Sequence, residues 1–376
     1  MTISLRNMLK NNITIGKRII GTNCPCFIIA EAGVNHNGSI ELAKKLVDVA
    51  VAANADAIKF QTFKAEEEVT KVTPKADYQK LDKDNNESYF EMIKKLELNE
   101  YDHKYLMKYC KQKRIIFLST PSEEKSAEML NRLGVEAFKI GSNDIVTIPL
   151  LEMIGAYHKP MIISRGMATE EEIQEALDTV KSQGNNDIIL LHCTSNYPAQ
   201  LKDLNLSVLE TLKNKFRVLV GYSDHSEGLD APYIAALLGA AVIEKHITLD
   251  KTLPGPDQRF ALDPDELKKM VKDIRNSERL SSNEKNKKLN FIKNLKEILG
   301  NPDIKPTPSE LEMRKNTRKS VVAKYDLIKD TKICRKDIAF KRPAFGVPAK
   351  QYKEIIGRKT ILEIKKDEFL TFENTK

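Results

Sequence analysis

The chain has 376 residues, 41% of them hydrophobic and 30% charged, with a formal net charge of +8. That length suits one large domain plus a small one, and the composition is that of a globular protein rather than a disordered or fibrous one. No apolar run reaches the roughly 18 residues a membrane helix needs, the opening MTISLRNMLKNN lacks the apolar core of a secretory leader, and five cysteines, an odd number in a long chain, argue for a reduced, cytoplasmic protein of enzyme size rather than a disulfide framework.

In chain order, ITIGKRIIG (13–21) predicts a β-hairpin. Cys24 and Cys26 follow, two apart; no second cysteine pair completes a metal site, so they are read as small residues at the start of a strand. Eight short apolar runs then recur: FIIAE (27–31), DAIKFQ (56–61), IIFLST (115–120), EAFKIG (136–141), PMIIS (160–164), DIILLHC (187–193), RVLVGY (217–222) and AAVIEKH (240–246). Amphipathic segments such as SIELAKKLVDVAVAA (39–53), EKSAEMLNRL (124–133) and TEEEIQEALDTVKSQG (169–184) lie between them. The last has an N-capping Thr169, acids in its first turn and Gly184 at its end, which predicts a helix. Near-continuous apolar strands alternating with helices predict a parallel sheet covered on both faces. Eight such units predict a (β/α)8 TIM barrel, its bottom closed by the hairpin. A doubly wound sheet is the structural alternative, but it usually has fewer repeats, and no Gly-rich dinucleotide turn is present.

The eighth helix is expected over 263–280. Residues 281–313 start polar, carry a short helical stretch and end in Pro302, Pro306 and Pro308, which reads as a linker. A small β-rich domain is expected over 314–376, after a barrel domain over 1–280. Residues 301–376 hold 19 Lys and Arg against 11 Asp and Glu, so the whole net charge lies there. These basic residues are scattered singly among acids without an aromatic platform, which reads as a solvated surface and not as a nucleic-acid site.

In such a barrel the chemistry sits where the strands end. The first run ends in Glu31, then Asn35 and His36; the second in Lys59 and Gln61; the third in Ser119 and Thr120; the fourth in Lys139, Ser142 and Asn143. The fifth gives Ser164 and Arg165, the sixth His192, Thr194, Ser195 and Tyr197, the seventh Ser223, Asp224 and His225, and the eighth Glu244, Lys245 and His246. Scattered surface polarity would not choose one end eight times. Thr120, Lys139, Ser142, Ser164 and Ser223 together form a donor set suited to a phosphate or carboxylate, although each serine alone would be an ordinary helix cap. His225 and His246 end neighbouring strands about 4.8 Å apart and are read as sharing a cation. Two imidazoles leave room for water or substrate oxygens, which suits an exchangeable Mn2+ or Mg2+ better than structural zinc. Asp224 or Glu244 is assigned to orient the rings. His36 is read as either substrate-facing or a loop residue, and His103 and His158 as solvated helix positions.

The stretches IIAEAGVNHNGS, AIKFQTFKAE, FLSTP, FKIGSND, LLHCTSNYP, GYSDHSEG, IEKHITLD and PGPDQ closely resemble the sialic acid synthase family, which includes N-acetylneuraminate, legionaminate and pseudaminate synthases. The tail, RKSVVAKYDLIKD with FKRPAFGVP and IIGRK, resembles the antifreeze-like SAF domain that follows the barrel in that family. The likeness runs from Ile13 to Leu370. It implies a carbon–carbon bond-forming transferase that condenses phosphoenolpyruvate with an open-chain N-acetylated aldose. It implies a divalent metal on His225 and His246, Mn2+ first with Mg2+ or Co2+ as alternatives, and Glu31 as acid/base or orienter. Lys59, Thr120, Lys139, Ser142, Ser164 and Ser223 are then the phosphoenolpyruvate shell. Gln61, Tyr197 and Asp257, with Ser195 beside them, bind the sugar. Arg342 reaches the sugar's N-acetyl group across a domain-swapped homodimer. The linker is longer than the family's usual one, Ser195 stands where some members have asparagine, and Arg165 stands where threonine is commoner. Arg165 is read either as an added charge at the anion site or as facing solvent. Cys193 is read as a small buried residue, since the reaction needs no protein nucleophile. The competing functions are another metal-dependent barrel, such as a class II aldolase or a different phosphoenolpyruvate–sugar synthase, and a non-catalytic glycan-binding module suggested by the tail alone.

Overall fold

The computed structural model describes residues 12–76, 79 and 87–376. Residues 1–11, read above for a leader, lie outside them. Strands β1 (Asn12–Ile15) and β2 (Arg18–Gly21) form the expected antiparallel hairpin, turned at Gly16 with φ of 57°. The barrel follows with β3 (Phe27–Gly33), β4 (Ala57–Thr62), β5 (Ile116–Pro121), β6 (Phe138–Ile140), β7 (Met161–Ser164), β8 (Ile188–His192), β9 (Leu219–Asp224) and β10 (Val242–His246). All paired neighbours are parallel, in the order β5-β4-β3-β10-β9-β8-β7-β6, and β5 lies against β6 to complete a nearly closed ring. Each strand falls on one of the eight apolar runs. The doubly wound alternative is excluded.

Side chains alternate between the two faces of each strand. Phe27, Ile29, Ala57, Leu118, Ala137, Ile162, Ile189, Leu191 and Val242 point inward and pack on Ile13, Ile15 and Ile20 of the hairpin, which plugs the bottom of the barrel. Ile28, Ala30, Ile58, Phe60, Phe138, Ile163, Leu190 and Ile243 point outward into the helical layer. Gly221 occupies an inward position of β9 where a Cβ would lie 2.5 Å from Val242 O and 2.7 Å from Leu191 Cδ2. Only glycine fits that crowded interior without shifting backbone.

The helices are α1 (Ile40–Ala52), α2 (Ala65–Glu68), α3 (Tyr89–Lys94), α4 (Glu100–Lys113), α5 (Glu124–Leu133), α6 (Ile148–Gly155), α7 (Glu170–Ser182), α8 (Val208–Phe216), α9 (Asp230–Leu237) and α10 (Pro264–Ser277). Their starts are chemically specified. Thr169 and Glu172 close a capping box on α7, and Asp263 and Glu266 close another on α10, each satisfying amides that the first turn leaves without partners.

The expected linker, with its short helical stretch, is mostly helical and packed on the barrel. It forms α11 (Ser282–Asn290), α12 (Leu295–Leu299) and α13 (Pro308–Thr317), and position 314 falls inside α13. Ile298 is buried, and its carbonyl and that of Leu299 accept from Leu206 N and Ser207 N of the barrel. Beyond it, β11 (Ser320–Ala323) and β12 (Ile338–Lys341) pair antiparallel, α14 (Tyr352–Ile355) follows, and isolated bridges such as Val322↔Phe369 extend a small β-rich unit. Val321, Ile333, Ile338, Phe340, Ile355 and Leu370 give it a core of its own. This unit sits over the barrel mouth. Arg342 N donates to Glu68 O, Thr70 N donates to Arg342 O, and buried Lys319 pairs with buried Asp144 at 2.7 Å.

Candidate active site

The alternation that fills the barrel's bottom with apolar side chains continues upward into polar ones. Glu31 follows Phe27 and Ile29 on the inner face, Lys59 follows Ala57, Thr120 follows Leu118, and Lys139 follows Ala137. Ser164, Ser223, Glu244 and His246 continue the inner faces of β7, β9 and β10 in the same way. These residues line one pocket at the mouth, together with Gln61, Ser142, Cys193, Ser195, Tyr197, His225, Asp257 and Arg342. The expected anion, sugar and imidazole residues are therefore brought to a single cavity, whereas Asp224, His36 and Arg165 are not.

At its floor Lys59 Nζ lies 2.8 Å from Glu31 Oε2 and donates to Thr120 Oγ1 at 2.9 Å. Lys139 Nζ donates to Ser164 Oγ at 2.7 Å, and Ser223 Oγ donates to Glu244 Oε1 at 2.9 Å. Glu244 lies 3.7 Å from both lysines. Burial works against its charge, but Lys139 and Lys59 outweigh it and hold the carboxyl below its usual range. Burial lowers Lys139, even with Glu244 opposing, whereas Glu244 and Glu31 overcome the burial of Lys59 and raise it. Glu31 is raised, mainly by burial. Two ammonium groups ringed by hydroxyls form a cradle for an anion, pre-oriented by two carboxylates.

The imidazoles of His225 and His246 stand side by side, ring centroids 5.5 Å apart, with Tyr197 against the first at 4.2 Å. His225 Nδ1 donates to Thr194 O at 2.8 Å, which leaves Nε2 as the ring atom that could ligate; burial works against its charge, but Cys193 outweighs burial and raises the imidazole. His246 Nδ1 is buried without a hydrogen-bond partner, 3.9 Å from Asp257 Oδ2. Burial and the nearby His225 and lysine charges hold His246 well below its ordinary range, so it is a neutral ring able to ligate. Burial and the charge of Glu31 raise the Asp257 carboxyl to about 7, with His225 opposing. Among the described residues no group of three or more His, Cys, Asp and Glu is placed to hold a metal. The donors present fit a cation bound by two imidazoles that keeps its other positions for water or substrate oxygen.

Several polar residues at the strand ends turn out to face the other way. Ser119 is outward and contacts Thr62 Oγ1. His103, expected in solvent, is fully buried between Thr62 Oγ1 and Asn99 O. His158 is exposed, as expected, but lies in a turn after α6 rather than on a helix. His36 is buried against Phe60, accepts from Gly38 N and does not line the pocket, so it is a loop residue. Arg165 faces neither solvent nor the anion site. It is buried outside the barrel wall and donates to His192 Nδ1 at 2.7 Å. Asp224 and Glu244 do not orient the imidazoles. Asp224 pairs with Lys245 behind the wall, Glu244 joins the cradle, and a backbone carbonyl holds His225.

The family model of the NeuB family matches residues 46–286. This chain belongs to the NeuB family, that of the sialic acid synthases. The N,N'-diacetyllegionaminic acid synthase of Legionella pneumophila is 40% identical over 358 residues, covering 94% of this chain and 96% of that protein. The enzyme of the same description from Campylobacter jejuni is 41% identical over 345 residues, covering 91% and 98%. Among solved structures, a spore coat polysaccharide biosynthesis protein of Bacillus subtilis superposes with a TM-score of 0.80 at 35% identity, covering 96% of this chain and 98% of that one. A sialic acid synthetase of Leptospira borgpetersenii, crystallised with citrate, gives 0.65 at 35% identity and covers 82% and 96%. The NeuB chain is thus an enzyme of the sialic, legionaminic and pseudaminic acid synthase type. Its described helices include none long and apolar enough to cross a membrane. The pocket also contains residues that sequence reasoning passed over. Glu68 pairs with Arg342 Nη2 at 2.8 Å and Tyr89 OH contacts Arg342 Nη1 at 3.0 Å. In KAEEEV nothing local marks Glu68 as buried.

Proposed function

We propose that the chain joins phosphoenolpyruvate to an unphosphorylated, open-chain 2,4-diacetamido-6-deoxy aldose, giving a nine-carbon 2-keto-3-deoxy sugar acid and phosphate. Lys59, Lys139, Thr120, Ser142, Ser164 and Ser223 hold the phosphate and carboxylate of phosphoenolpyruvate. Its C3 forms the new bond to the aldehyde carbon, the resulting oxocarbenium at C2 takes water, and the tetrahedral adduct expels phosphate as its C–O bond breaks. A divalent cation on His225 and His246, Mn2+ in our reading, supplies Lewis acidity toward the aldehyde oxygen. Glu31, close to Gln61, relays to the new hydroxyl the proton released when water adds at C2. Gln61, Tyr197, Ser195 and Asp257 orient the sugar, and Arg342 meets an acetamido group. The fixed donors position both reactants so that little reorganisation is left for the reaction itself.

The observation that carries the substrate class is the far end of the pocket. Beside Arg342 the described lining includes one apolar cluster of Val34, Phe63, Tyr89, Ile93 and Leu96 with Met92 against it, and Arg342 is already paired with Glu68. An apolar wall suits a deoxy methyl group, and a pre-paired arginine is poorly matched to a terminal phosphate. The test is a panel of N-acetylated aldoses with phosphoenolpyruvate and Mn2+, read by phosphate release and product mass. The 2,4-diacetamido sugar should give the highest kcat/KM, followed by N-acetylmannosamine. Turnover restricted to phosphorylated sugars would overturn the assignment. Arg342→Ala should raise the sugar KM about 10- to 100-fold, the worth of a charge-assisted hydrogen bond, with a much smaller effect on phosphoenolpyruvate. Equal effects on the two would remove Arg342 from the sugar site.

Arg342 reaches the pocket of its own chain. In the homodimer that the family likeness suggests, two copies exchange their C-terminal units. Every contact of Arg342 is then kept, because only the path of the linker changes. Coexpressed His246→Ala and Arg342→Ala chains should then regain activity, since one of their two composite sites carries neither change. Absence of recovery would leave the arginine in its own chain.

A further inference from the structure

The loop after β7 has a conformation that its own sequence does not favour. Met167 sits at φ 62°, in the left-handed region that a non-glycine side chain rarely adopts and that costs roughly 1–2 kcal/mol. It is nevertheless buried and lines the pocket. The backbone just before it is pressed against the anion cradle: a Cβ on Gly166 would collide with the hydroxyls of Ser195 and Ser142 and with Cys193 Sγ. Any shift at Met167 therefore moves the wall of the cradle.

What holds Met167 comes from outside the barrel. Its N–H donates to Glu310 Oε1 at 2.9 Å. Its carbonyl accepts from Arg314 Nε at 2.7 Å and from Arg318 Nη2 at 3.3 Å, and Thr317 Oγ1 lies 3.5 Å from its sulfur. The same Glu310 Oε1 also accepts from Ser195 N at 2.9 Å, in the loop after β8. Glu310 Oε2 is occupied by Thr307 N and Thr307 Oγ1 in the capping box of α13. The carboxylate is 2% exposed, so these amides have no water to replace it. Arg314 and Arg318 are in turn set by Glu172 of α7, Arg318 Nη1 at 2.6 Å.

We infer that Glu310 is a positioning residue for the reaction: one buried carboxylate on α13 clasps the loops after β7 and β8 and so fixes the anion cradle that it never touches. The helix leading into the C-terminal unit thereby sets affinity at the phosphoenolpyruvate end of the site, opposite the sugar end that Arg342 serves. This inference rests on the functional reading above for the identity of the anion, but the clasp itself is a statement about two backbone amides.

The experiment compares Glu310→Ala and Glu310→Gln, each with and without Met167→Gly, in the full chain. Calorimetry of phosphoenolpyruvate binding, steady-state kinetics and amide exchange of the peptides around Met167 and Ser195 are measured for each. Glu310→Ala should raise the phosphoenolpyruvate KM about tenfold or more, the worth of a hydrogen bond to a charged group, with kcat changed less than about threefold and the sugar KM, served by Ser195 on the same loop, raised by less than the phosphoenolpyruvate KM. Exchange at Met167 and Ser195 should accelerate by a similar or larger factor. Glu310→Gln keeps an acceptor for both amides and should lose less affinity than Glu310→Ala. Met167→Gly should recover part of the affinity in the Glu310→Ala background, because glycine adopts the left-handed conformation without the steric cost. General destabilisation would not produce that rescue. Unchanged amide exchange and unchanged phosphoenolpyruvate affinity in Glu310→Ala would overturn the clasp. A parent protein that binds no phosphoenolpyruvate would instead sink the functional assignment, and amide exchange would still decide the clasp.

Discussion

Replacing His225 or His246 with alanine should lower turnover by about three orders of magnitude, the several kcal/mol that a bound Lewis acid contributes. The two rings are 5.5 Å apart at neighbouring strand ends, and the tautomer of His225 is fixed by Thr194 O. His246 is buried and neutral beside the lysines, an environment that suits a ligand and not a cation. Each variant would remove one of the two proposed protein ligands, so Mn2+ affinity should fall in parallel with kcat. The lysine and hydroxyl cradle is untouched in both, so phosphoenolpyruvate should still bind. The measurements are titration of Mn2+ into each variant and turnover over a range of metal concentrations. Either variant retaining turnover within about tenfold of the parent would be incompatible with a shared cation, and so would a fully chelated parent working at its normal rate.

The largest expected effect on stability lies directly behind that site. Lys245→Met should destabilise the protein by about 3–5 kcal/mol, the usual consequence of removing one partner of a buried ion pair. Lys245 Nζ lies 2.5 Å from Asp224 Oδ2, and both side chains are essentially inaccessible. The ammonium also donates to Ser226 O. The carboxylate has a full set of donors, since Tyr222 OH, Ser226 N and Ser226 Oγ all reach Oδ1. Methionine matches the stem of lysine but leaves Oδ2 without its counter-charge in a place water does not reach. The same network flanks His225 on both sides in sequence, so Mn2+ affinity should fall together with the urea midpoint. A second substitution, Asp224→Asn in the Lys245→Met background, should restore part of the loss by removing the stranded charge. A midpoint shift worth less than about 1 kcal/mol would show the pair to be dispensable.

Most of the barrel was legible because its signals are local. Eight recurring apolar runs fixed the strand count, and caps such as Thr169 with Glu172 fixed where helices begin. The site was legible at the level of strand ends. Glu31, Lys59, Thr120, Lys139, Ser164, Ser223, His225 and His246 all arrived in one pocket, as expected. The failures at Arg165, Asp224 and Ser119 share one cause. Strands buried on both faces are apolar at every position, so their sequence carries no alternation from which to tell inward from outward. A polar residue at such a strand end is equally ready to enter the pocket or to sit behind the wall. The packed linker and its Glu310 were missed for another reason. SSNEKNKKLN is polar enough to read as solvated, and in PTPSELEMRK the only local partner of Glu310 is its capping-box Thr307, while Met167 and Ser195, which its other oxygen serves, lie more than a hundred residues away.

The amino-acid sequence alone determined the number and type of the elements, the end of the barrel that carries chemistry, and the residue types gathered there. Each of these follows from short-range periodicity, from caps and from the rule that parallel strands end together. Tertiary structure decided the parity of every strand, and with it the division between the cradle of Lys59, Lys139 and Glu244 and the hidden pair of Asp224 and Lys245. It also decided that Arg342 and Glu310, far away in sequence, complete the mouth. Those outcomes depend on which face meets the hairpin plug and on contacts across more than a hundred residues, which no local pattern encodes.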